Sequence, residues 1–336
     1  MLKLKNISLI LLSLLCIVSC ERRPLDILAT SLRIIHVPDY SLEYQKPAVV
    51  PEHYRVNMYD LETGKLVYKD FVPDGGGPII SKPGKFLCFL CNFDEGHLVL
   101  TGEKEISTFH ITGPNAGVGV DSTFQAIQKK FKAALESAQE TEGGTTKADG
   151  DDMPYIDQRV MALDDYFWAG QSEADIPFLS ASDEPYIITV NTASVPKQGY
   201  IQLDGIIGAE YISNIRCFVT SLAGGINPVT RELDSENVTE EFYIRYVDGI
   251  ACGTFLYFGI NGGNEPHFLY ALVTDTAGGR YLYVYNLGAI EDGKGLFFGI
   301  DSGIIVPEPE HGGGGFDPEL EDWDVVFVDV PLGQGK

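Results

Sequence analysis

The chain has 336 residues, with 48 acidic and 24 basic side chains, so its formal net charge is −24. A surface this acidic repels phosphate backbones, which argues against nucleic acid as a partner. The length exceeds what one hydrophobic core usually organises, and we therefore expect two domains. Frequent Gly, Pro and aromatic residues, with few segments of helical periodicity, are typical of β-sandwiches.

The first twenty residues have the features of an export signal. Two early lysines are followed by the apolar run 7–18, which is too short to span a bilayer, since spanning needs about 20 residues. The run ends in Ile17-Val-Ser-Cys, an order that resembles the lipobox of bacterial lipoproteins, whose cysteine is acylated with palmitate-type chains. We expect a signal peptide over 1–19 and membrane attachment through a lipid on Cys20.

A β-hairpin is the clearest local pattern in the N-terminal half. Strand-type residues at 54–59 and 66–72 flank the segment 60–64, and Gly64 tolerates the positive φ that a tight turn needs. A shorter β-type run at 32–37 precedes the hairpin. These patterns predict an N-terminal domain built from strands.

Four cysteines remain as thiols after the signal peptide and Cys20: Cys88, Cys91, Cys217 and Cys252. Cys88 and Cys91 have the spacing of a redox pair. They lie in the strand-like run 85–92, however, where residues three apart point to opposite faces, and no helix follows the first cysteine. We therefore expect two core cysteines. The sequence leaves open whether Cys217 and Cys252 form a disulfide.

One segment of the N-terminal half has helical periodicity. The apolar residues at 124, 127, 131 and 135 are spaced as on one face of a helix, which predicts a short helix over 122–138. A further strand is expected at 105–111. The Gly- and acid-rich stretch 139–152 predicts a solvated linker.

Strand patterns recur from residue 186 towards the end of the chain. They cover 186–192, 214–220, 238–246, 254–260, 268–274, 280–286 and 325–330. Alternating tyrosine and aliphatic residues identify the sixth of these runs as a strand. We expect an N-terminal domain over 20–180 and a C-terminal domain over 181–336, in which the glycines at 312–315 form a hinge before a terminal strand.

Together these features resemble the fimbrillin superfamily of Bacteroidetes, in a branch of unassigned function. The matching motifs are Arg22-Arg-Pro-Leu, Met58-Tyr-Asp-Leu-Glu-Thr-Gly, the run 86–93, Leu272-Val-Thr-Asp-Thr, Tyr281-Leu-Tyr-Val-Tyr and Gly313-Gly-Gly-Phe-Asp-Pro-Glu-Leu-Glu-Asp-Trp-Asp. The resemblance implies an all-β fold of two antiparallel β-sandwich (fimbrillin/transthyretin-like) domains with one short helix. It also implies a lipoprotein precursor that builds or anchors cell-surface pili.

The resemblance further implies a route of assembly. Pilins of that superfamily are thought to polymerise after an arginine-specific protease removes the first strand, and a strand of another subunit then fills the groove. Here Arg22 and Arg23 precede any strand. Arg33 and Arg55 fall inside predicted strands, and the loop 37–53 contains no arginine. The sequence therefore favours an anchor, tip or accessory subunit over a polymerising one.

No catalytic motif stands out in the sequence. The six histidines are scattered without an HExxH motif, and there is no GxSxG elbow or phosphate-binding loop. Five acidic residues near the end lack the glycine of a calcium loop, and we interpret them as a solvated segment: Asp317, Glu319, Glu321, Asp322 and Asp324. We expect no enzyme activity, no cofactor and no metal.

Two classes of function remain, both at the cell outer membrane, lipid-anchored and surface-exposed. The first is a fimbrial (pilus) subunit, anchor or accessory protein involved in adhesion, whose partners are pilin subunits joined by strand addition. The second is a stand-alone surface adhesin for a host or glycan ligand, in which exposed aromatic residues such as Trp168 and Trp323 would stack on sugars, although aromatic residues of β domains more often lie in the core. A firmly paired first strand favours an anchor or adhesin, and a loosely held one favours a polymerising subunit.

Overall fold

The computed structural model describes residues 30–42, 44, 50–92, 97–116, 157, 159–179, 183–247, 249–261, 266–288, 290, 296–309 and 324–328. Several expectations lie outside the described residues and stay predictions: the signal peptide 1–19, Cys20, the helix 122–138, the linker 139–152 and the hinge 312–315. No helix in the described ranges is long and apolar enough to cross a membrane.

The described residues form nineteen strands, which confirms the expected all-β class. In chain order they are β1 (Thr30–Pro38), β2 (His53–Asp60), β3 (Leu66–Pro73), β4 (Gly76–Ser81), β5 (Gly84–Asn92), β6 (Val99–Thr101), β7 (His110–Thr112), β8 (Val160–Met161), β9 (Trp168–Ile176), β10 (Tyr186–Ser194), β11 (Lys197–Asp204), β12 (Ile212–Ala223), β13 (Gly225–Ile226), β14 (Asn237–Val247), β15 (Ile250–Tyr257), β16 (His267–Asp275), β17 (Arg280–Gly288), β18 (Leu296–Asp301) and β19 (Asp324–Val328). Two short 3₁₀ turns, Ile106–Thr108 and Ala209–Tyr211, accompany them.

The first sheet has seven strands, in the order β3-β2-β5-β9-β10-β1-β4. Its neighbouring strands run antiparallel, except that β1 and β10 run parallel. Leu32 and Ile34 on β1, and Ile188 and Val190 on β10, turn into the core of this sheet, while the residues between them face outwards. This alternation is the pattern of a strand with one buried face.

The second sheet has nine strands, in the order β18-β11-β15-β14-β12-β16-β17-β19, with β8 paired to β14 beside that path. Three of its pairings are parallel: β11 with β18, β14 with β8, and β17 with β19. A small sheet, β13-β7-β6, completes the described strands. The expected antiparallel sandwich architecture is thus modified by parallel strands, which include both edges of the second sheet.

The chain does not pass from the first sheet to the second at the domain boundary expected at 180/181. β10 follows that boundary, yet it pairs with β9 and β1 in the first sheet, while β8 precedes it and pairs with β14 in the second. Strand patterns identify a buried face but do not identify the partner strand, because many registers satisfy the same alternation. The division of the chain into two domains stays a prediction.

The expected hairpin is confirmed in β2 and β3. The two strands pair antiparallel from His53 beside Pro73 to Tyr59 beside Leu66. Gly64 has a φ of +68°, in the left-handed region that favours glycine. The Thr63 N–H donates a hydrogen bond of 2.8 Å to the Asp60 carboxylate, which closes the turn from its other side.

The strand expected over 105–111 is only partly formed. Ile106–Thr108 is a 3₁₀ turn, and β7 begins at His110. The Ile106 N–H donates to the Gly64 carbonyl at 2.9 Å, and the Asn227 amide donates to the Ile106 carbonyl at 2.7 Å. Hydrogen bonds to distant parts of the chain thus override the local β propensity of this segment.

Two hydrophobic cores share strand β5. One face of the strand lies in the core of the first sheet and carries Phe86, Cys88 and Leu90. The other face joins a larger core formed mainly by the second sheet and carries Leu87, Phe89 and Cys91. A strand buried on both faces reads as a continuous apolar run, as 86–91 does. The expectation that Cys88 and Cys91 are core residues on opposite faces is confirmed.

A buried carboxylate lies where β8 meets β14. Glu240 is 1% exposed; its Oε1 accepts a hydrogen bond from the Leu163 N–H, and its Oε2 has no hydrogen-bond partner among the described residues. Burial raises the pKa of this carboxyl well above its ordinary value, and Asp164 and Glu241 raise it further, whereas the Leu163 N–H and Arg159 lower it. The folded state therefore favours the protonated acid.

The shared core predicts different costs for removing two phenylalanine rings. Phe89→Ala should lower the free energy of unfolding by about 3–5 kcal/mol, because the ring is fully buried and packs against Phe109 at 5.6 Å. Phe71→Ala, on the exposed side of β3, should change it by about 0.5 kcal/mol or less. Urea unfolding of both variants measures the difference, and equal losses would contradict a core on both faces of β5.

The buried carboxylate predicts that Glu240→Gln raises the melting temperature by an amount that depends on pH. Because the folded pKa of Glu240 lies above the unfolded value of 4.5, the stability that the native residue contributes is present below pH 4.5 and is lost as the pH rises through the folded pKa. The amide removes this loss and keeps an acceptor for the Leu163 N–H. We expect the melting temperature to rise by at least about 2 °C at pH 8, which corresponds to about 1 kcal/mol, and by less at pH 5.

The matched control for that measurement is Glu210→Gln, since Glu210 is exposed. Its melting temperature should follow that of the native protein at both pH values. A rise in the melting temperature of Glu240→Gln that is the same at pH 5 and pH 8 would contradict the conclusion that Glu240 is protonated in the folded state.

Candidate assembly and binding surfaces

The predicted lipidation site, Cys20, lies outside the described residues, of which Thr30 is the first. Attachment to a membrane through Cys20 therefore stays a prediction. The assembly surfaces that the structure does describe begin with β1, the first of the described strands.

The first strand is an inner strand of its sheet. β1 pairs with β10 on one side and with β4 on the other, and Leu32 and Ile34 are fully buried. Gly76 allows β4 to approach closely, since a Cβ at that position would lie 2.1 Å from the Ile34 carbonyl oxygen. Main-chain pairing therefore holds β1 on both sides.

A polar contact also ties β1 to its neighbours. The buried His36 places its Nε2 2.7 Å from the Thr192 hydroxyl of β10 and its Nδ1 3.0 Å from an Asp74 carboxylate oxygen. Burial lowers the pKa of His36, while Asp74 raises it. This histidine joins β1, β10 and the turn before β4, which gives it a structural role.

The arginines of the first two strands are held within the sheet. Arg33 lies on the outer face of β1, opposite Ile187 of β10 and Pro78 of β4. Arg55 of β2 is 2% exposed, and its guanidinium lies 2.8 Å from the Glu103 carboxylate. Backbone paired in a ladder does not present the extended segment that a protease binds, because its main-chain groups are already occupied. Arg22 and Arg23 lie outside the described residues.

The expected terminal strand is confirmed as β19, at one edge of the second sheet. It pairs in parallel with β17, from Asp324 beside Tyr281 to Val328 beside Tyr285. Within the described chain, β19 ends the strand order and has no neighbour on its other side. Such an edge carries main-chain groups that a strand of a second protein can pair with. Of the five acidic residues near the end of the chain, Asp324 begins β19 and the other four lie outside the described residues.

The described cysteines are free thiols. Cys217 lies in β12 and Cys252 in β15, and these strands are separated by β14, so the structure holds the two apart as thiols. Burial raises the pKa of Cys88 to about 12 and that of Cys91 to about 11. Both remain protonated near neutral pH and lack the thiolate that redox chemistry requires.

An aromatic cluster lies on the outer face of the second sheet, and sequence reasoning did not single it out. Tyr200 of β11 and Phe297 of β18 are direct partners in a parallel pair, and their rings are parallel within 4° at a centroid distance of 5.4 Å. Tyr44 adds a third ring, 5.4 Å from Tyr200 and 6.4 Å from Phe297. Phe297 is 55% exposed. We call these three residues the aromatic row.

A cavity of about 490 Å³ lies beside the aromatic row. Thr254 of β15, the direct partner of Tyr200, lines it together with Asp164, Glu241 and Tyr243. Burial raises the pKa of Asp164, and the nearby carboxylates of Asp165 and Glu241 add to this effect, whereas His97 opposes it. The cavity thus combines aromatic surface with closely spaced carboxylates.

One carboxylate of that cavity has a fixed position. Glu241 accepts a hydrogen bond from the Arg216 guanidinium, and the Tyr243 hydroxyl lies 3.4 Å from the same carboxylate oxygen. Arg216 lies over the ring of Phe218, with 5.0 Å between the guanidinium carbon and the ring centroid. A carboxylate held in this way is an oriented acceptor for a ligand hydroxyl.

Trp168, one of the two tryptophans that a glycan-binding adhesin would use for stacking, is a core residue, as aromatic residues of β domains more often are. Trp168 is 1% exposed and packs against Tyr166 and Tyr40 in the core of the first sheet. The hypothesis of a sugar-binding role for Trp168 is therefore wrong, because β9 turns this side chain inwards. Trp323 lies outside the described residues. Within the described ranges, no three His, Cys, Asp or Glu side chains come together as metal ligands.

Comparison with known proteins gives matches in fold and none in sequence. No protein-family model and no curated protein sequence matches the chain. A "putative adhesin" from Bacteroides ovatus superimposes with a TM-score of 0.51 at 15% identity, covering 88% of this chain and 99% of that one.

Two further solved structures align at lower scores. The fimbrial anchor protein Mfa2 from Porphyromonas gingivalis has a TM-score of 0.39 at 12% identity, covering 73% of this chain and 78% of that one. A fimbrial assembly protein from Parabacteroides distasonis has a TM-score of 0.38 at 12% identity, covering 81% and 90%. At 15% identity, the match to the Bacteroides ovatus protein shows a shared fold.

Proposed function

We propose that this protein is a lipid-anchored structural protein of the cell surface, a fimbrial anchor or accessory subunit involved in adhesion. The observation that carries the proposal is that β1 is an inner strand of the first sheet, paired on both sides, in a fold shared with a Bacteroides ovatus protein described as an adhesin. A first strand that is paired on both sides, with Arg33 inside the ladder, supports an uncleaved subunit over a polymerising pilin, because the groove for strand addition opens only when that strand is removed.

The lipid anchor of this proposal rests on the sequence. Ile17-Val-Ser-Cys has the order of a lipobox, and Cys20 is the acylation site that it provides. Acyl chains hold a protein at a bilayer, since each buried methylene contributes about 0.8 kcal/mol. The proposed location is the cell outer membrane, with the two sheets exposed at the surface.

The proposed partners are other pilus subunits, and β19 is the edge at which they dock. β19 lies at the edge of the second sheet, and β-strand addition uses the main-chain groups of such an edge. The proposal includes no enzymatic step. The main alternative, a stand-alone adhesin, is favoured by the aromatic row on the outer face of the second sheet.

The anchor predicts the behaviour of Cys20→Ala. The variant should lose at least about nine-tenths of its membrane retention, because the acyl chains have no other attachment point at the mature N-terminus. Metabolic labelling with a fatty-acid analogue, followed by membrane fractionation, measures both effects. Cys252→Ala is the matched control, and it should keep both label and retention. Label that persists on the Cys20 variant would refute the anchor.

The inner position of β1 predicts that arginine-specific cleavage does not cause the protein to polymerise. The purified chain from residue 21 onward should stay monomeric after limited cleavage, since trimming at Arg22 or Arg23 leaves all of the described strands in place. Size-exclusion chromatography and unboiled gel electrophoresis measure the product. Gln45→Arg supplies an arginine between β1 and β2 and serves as a control for protease action, because this variant should be cut there. Heat-resistant ladders from the native chain would instead identify a polymerising pilin.

A further inference from the structure

We propose that the outer face of the second sheet binds a neutral oligosaccharide, which stacks on the aromatic row and donates hydroxyl groups to the carboxylates of the adjoining cavity. The inference rests on the proposed adhesive function and names the class of ligand that the adhesion would recognise. It concerns β11, β14, β15 and β18, and it is independent of the lipid anchor.

The first observation is an exposed aromatic surface that does not contribute to the hydrophobic core. The larger core packs the opposite face of these strands, with Ile201 and Leu203 of β11 and Leu296 and Ile300 of β18. Phe297 points away from that core and is 55% exposed, with its ring parallel to that of Tyr200. A pyranose ring carries C–H groups on its faces, and these pack against an aromatic face as other apolar groups do.

The second observation is a row of polar groups beside the rings. Alternate residues of β11 share a face, so Gln202 and Asp204 follow Tyr200 on the outer surface. The Gln202 amide donates a 2.9 Å hydrogen bond to the Asp204 carboxylate, and the Gln202 Oε1 lies 3.5 Å from the Tyr200 hydroxyl. These groups hold one another in place, and they offer hydrogen-bond donors and acceptors beside the rings.

The third observation is that the rings and the cavity form one continuous surface. Phe297, Tyr200 and Thr254 are direct partners on three adjacent strands, and Thr254 lines the cavity. Neighbouring strands lie about 4.8 Å apart, so the surface from Phe297 to Thr254 extends over about 10 Å before the cavity adds to it. This length suits an oligosaccharide rather than a single sugar ring.

The charge of the cavity selects among saccharides. Asp165 and Glu241 both lie close enough to Asp164 to raise its pKa, and the Arg216 guanidinium is already engaged by Glu241. Carboxylates accept hydrogen bonds from sugar hydroxyls, whereas a sulfate or carboxylate on the ligand would be repelled. The ligand is therefore neutral. A second copy of this chain would bury the same surface in a dimer, which analytical ultracentrifugation detects.

The experiment uses the full-length protein in mild detergent and affinity gel electrophoresis with soluble polysaccharides. The neutral set is a mannan, a galactan, a xylan and a mixed-linkage glucan, and the anionic set is polygalacturonate and heparin. We expect migration to be retarded by at least one neutral polysaccharide and by neither anionic one. Retardation by the anionic set alone, or by no polysaccharide, would overturn the proposal.

Variants then locate the site. Phe297→Ala should weaken the retarding interaction at least 10-fold, and Glu241→Gln should weaken it in the same direction. Phe71→Ala is the matched control: Phe71 is 48% exposed on a strand of the first sheet, and this variant should bind as the native protein does. Should Glu241→Gln lower the melting temperature through loss of the Arg216 contact, Thr254→Val tests the same surface. Binding unchanged in both Phe297→Ala and Thr254→Val would overturn the proposal.

Two further measurements distinguish saccharide binding from self-association and from membrane anchoring. Analytical ultracentrifugation of native protein and Phe297→Ala without polysaccharide tests for a second copy, and a dimer that Phe297→Ala abolishes would overturn the saccharide assignment. Membrane retention of Phe297→Ala should equal that of the native protein. Loss of saccharide binding in Phe297→Ala with unchanged membrane retention concerns the saccharide site alone. Loss of membrane retention in Cys20→Ala with unchanged saccharide binding concerns the lipid anchor alone.

Discussion

The architecture depends on strand β5, and on β2 beside it, being buried on both faces. Phe86, Cys88 and Leu90 belong to one core, and Leu87, Phe89 and Cys91 belong to the other. The two sheets therefore share side chains of the same strand, and neither can shift without opening apolar surface to water. Surfaces for partners are left at the sheet edges and on the outer faces, where the exposed aromatic residues lie.

One face of β2 carries buried polar side chains, and their burial costs free energy unless they are paired. Arg55 and Asn57 are buried there, where Arg55 pairs with Glu103 and the Asn57 amide donates to the Tyr59 hydroxyl at 3.2 Å. Lys69 lies 3.2 Å from the other Glu103 carboxylate oxygen. Buried charges are tolerated only when they are paired, so this network tolerates one arrangement of β2, β3 and the Glu103 loop. The same network keeps Arg55 away from solvent.

The fold separates the tasks that the proposed function requires. The N-terminal strand is enclosed between β10 and β4, so a lipid upstream of it would hold the molecule without disturbing a pairing edge. The terminal strand β19 lies at one edge of the second sheet, and the aromatic row on β11 and β18 lies at the opposite edge. An edge strand for subunits and a distant face for a ligand allow both contacts at once, because they occupy different ends of one sheet.

The sequence by itself predicted many of the strands, the hairpin at Gly64 and the opposite orientation of Cys88 and Cys91, because alternation and turn chemistry are local properties. It did not predict β4, β9, β11 or β18. It also provides the motif at Cys20, which lies outside the described residues. Only the tertiary structure decided that β10 pairs with β1, that Trp168 is buried and that Tyr200 meets Phe297. Those facts depend on partners far apart in the chain, and a periodic pattern shows which face is apolar without showing what covers it.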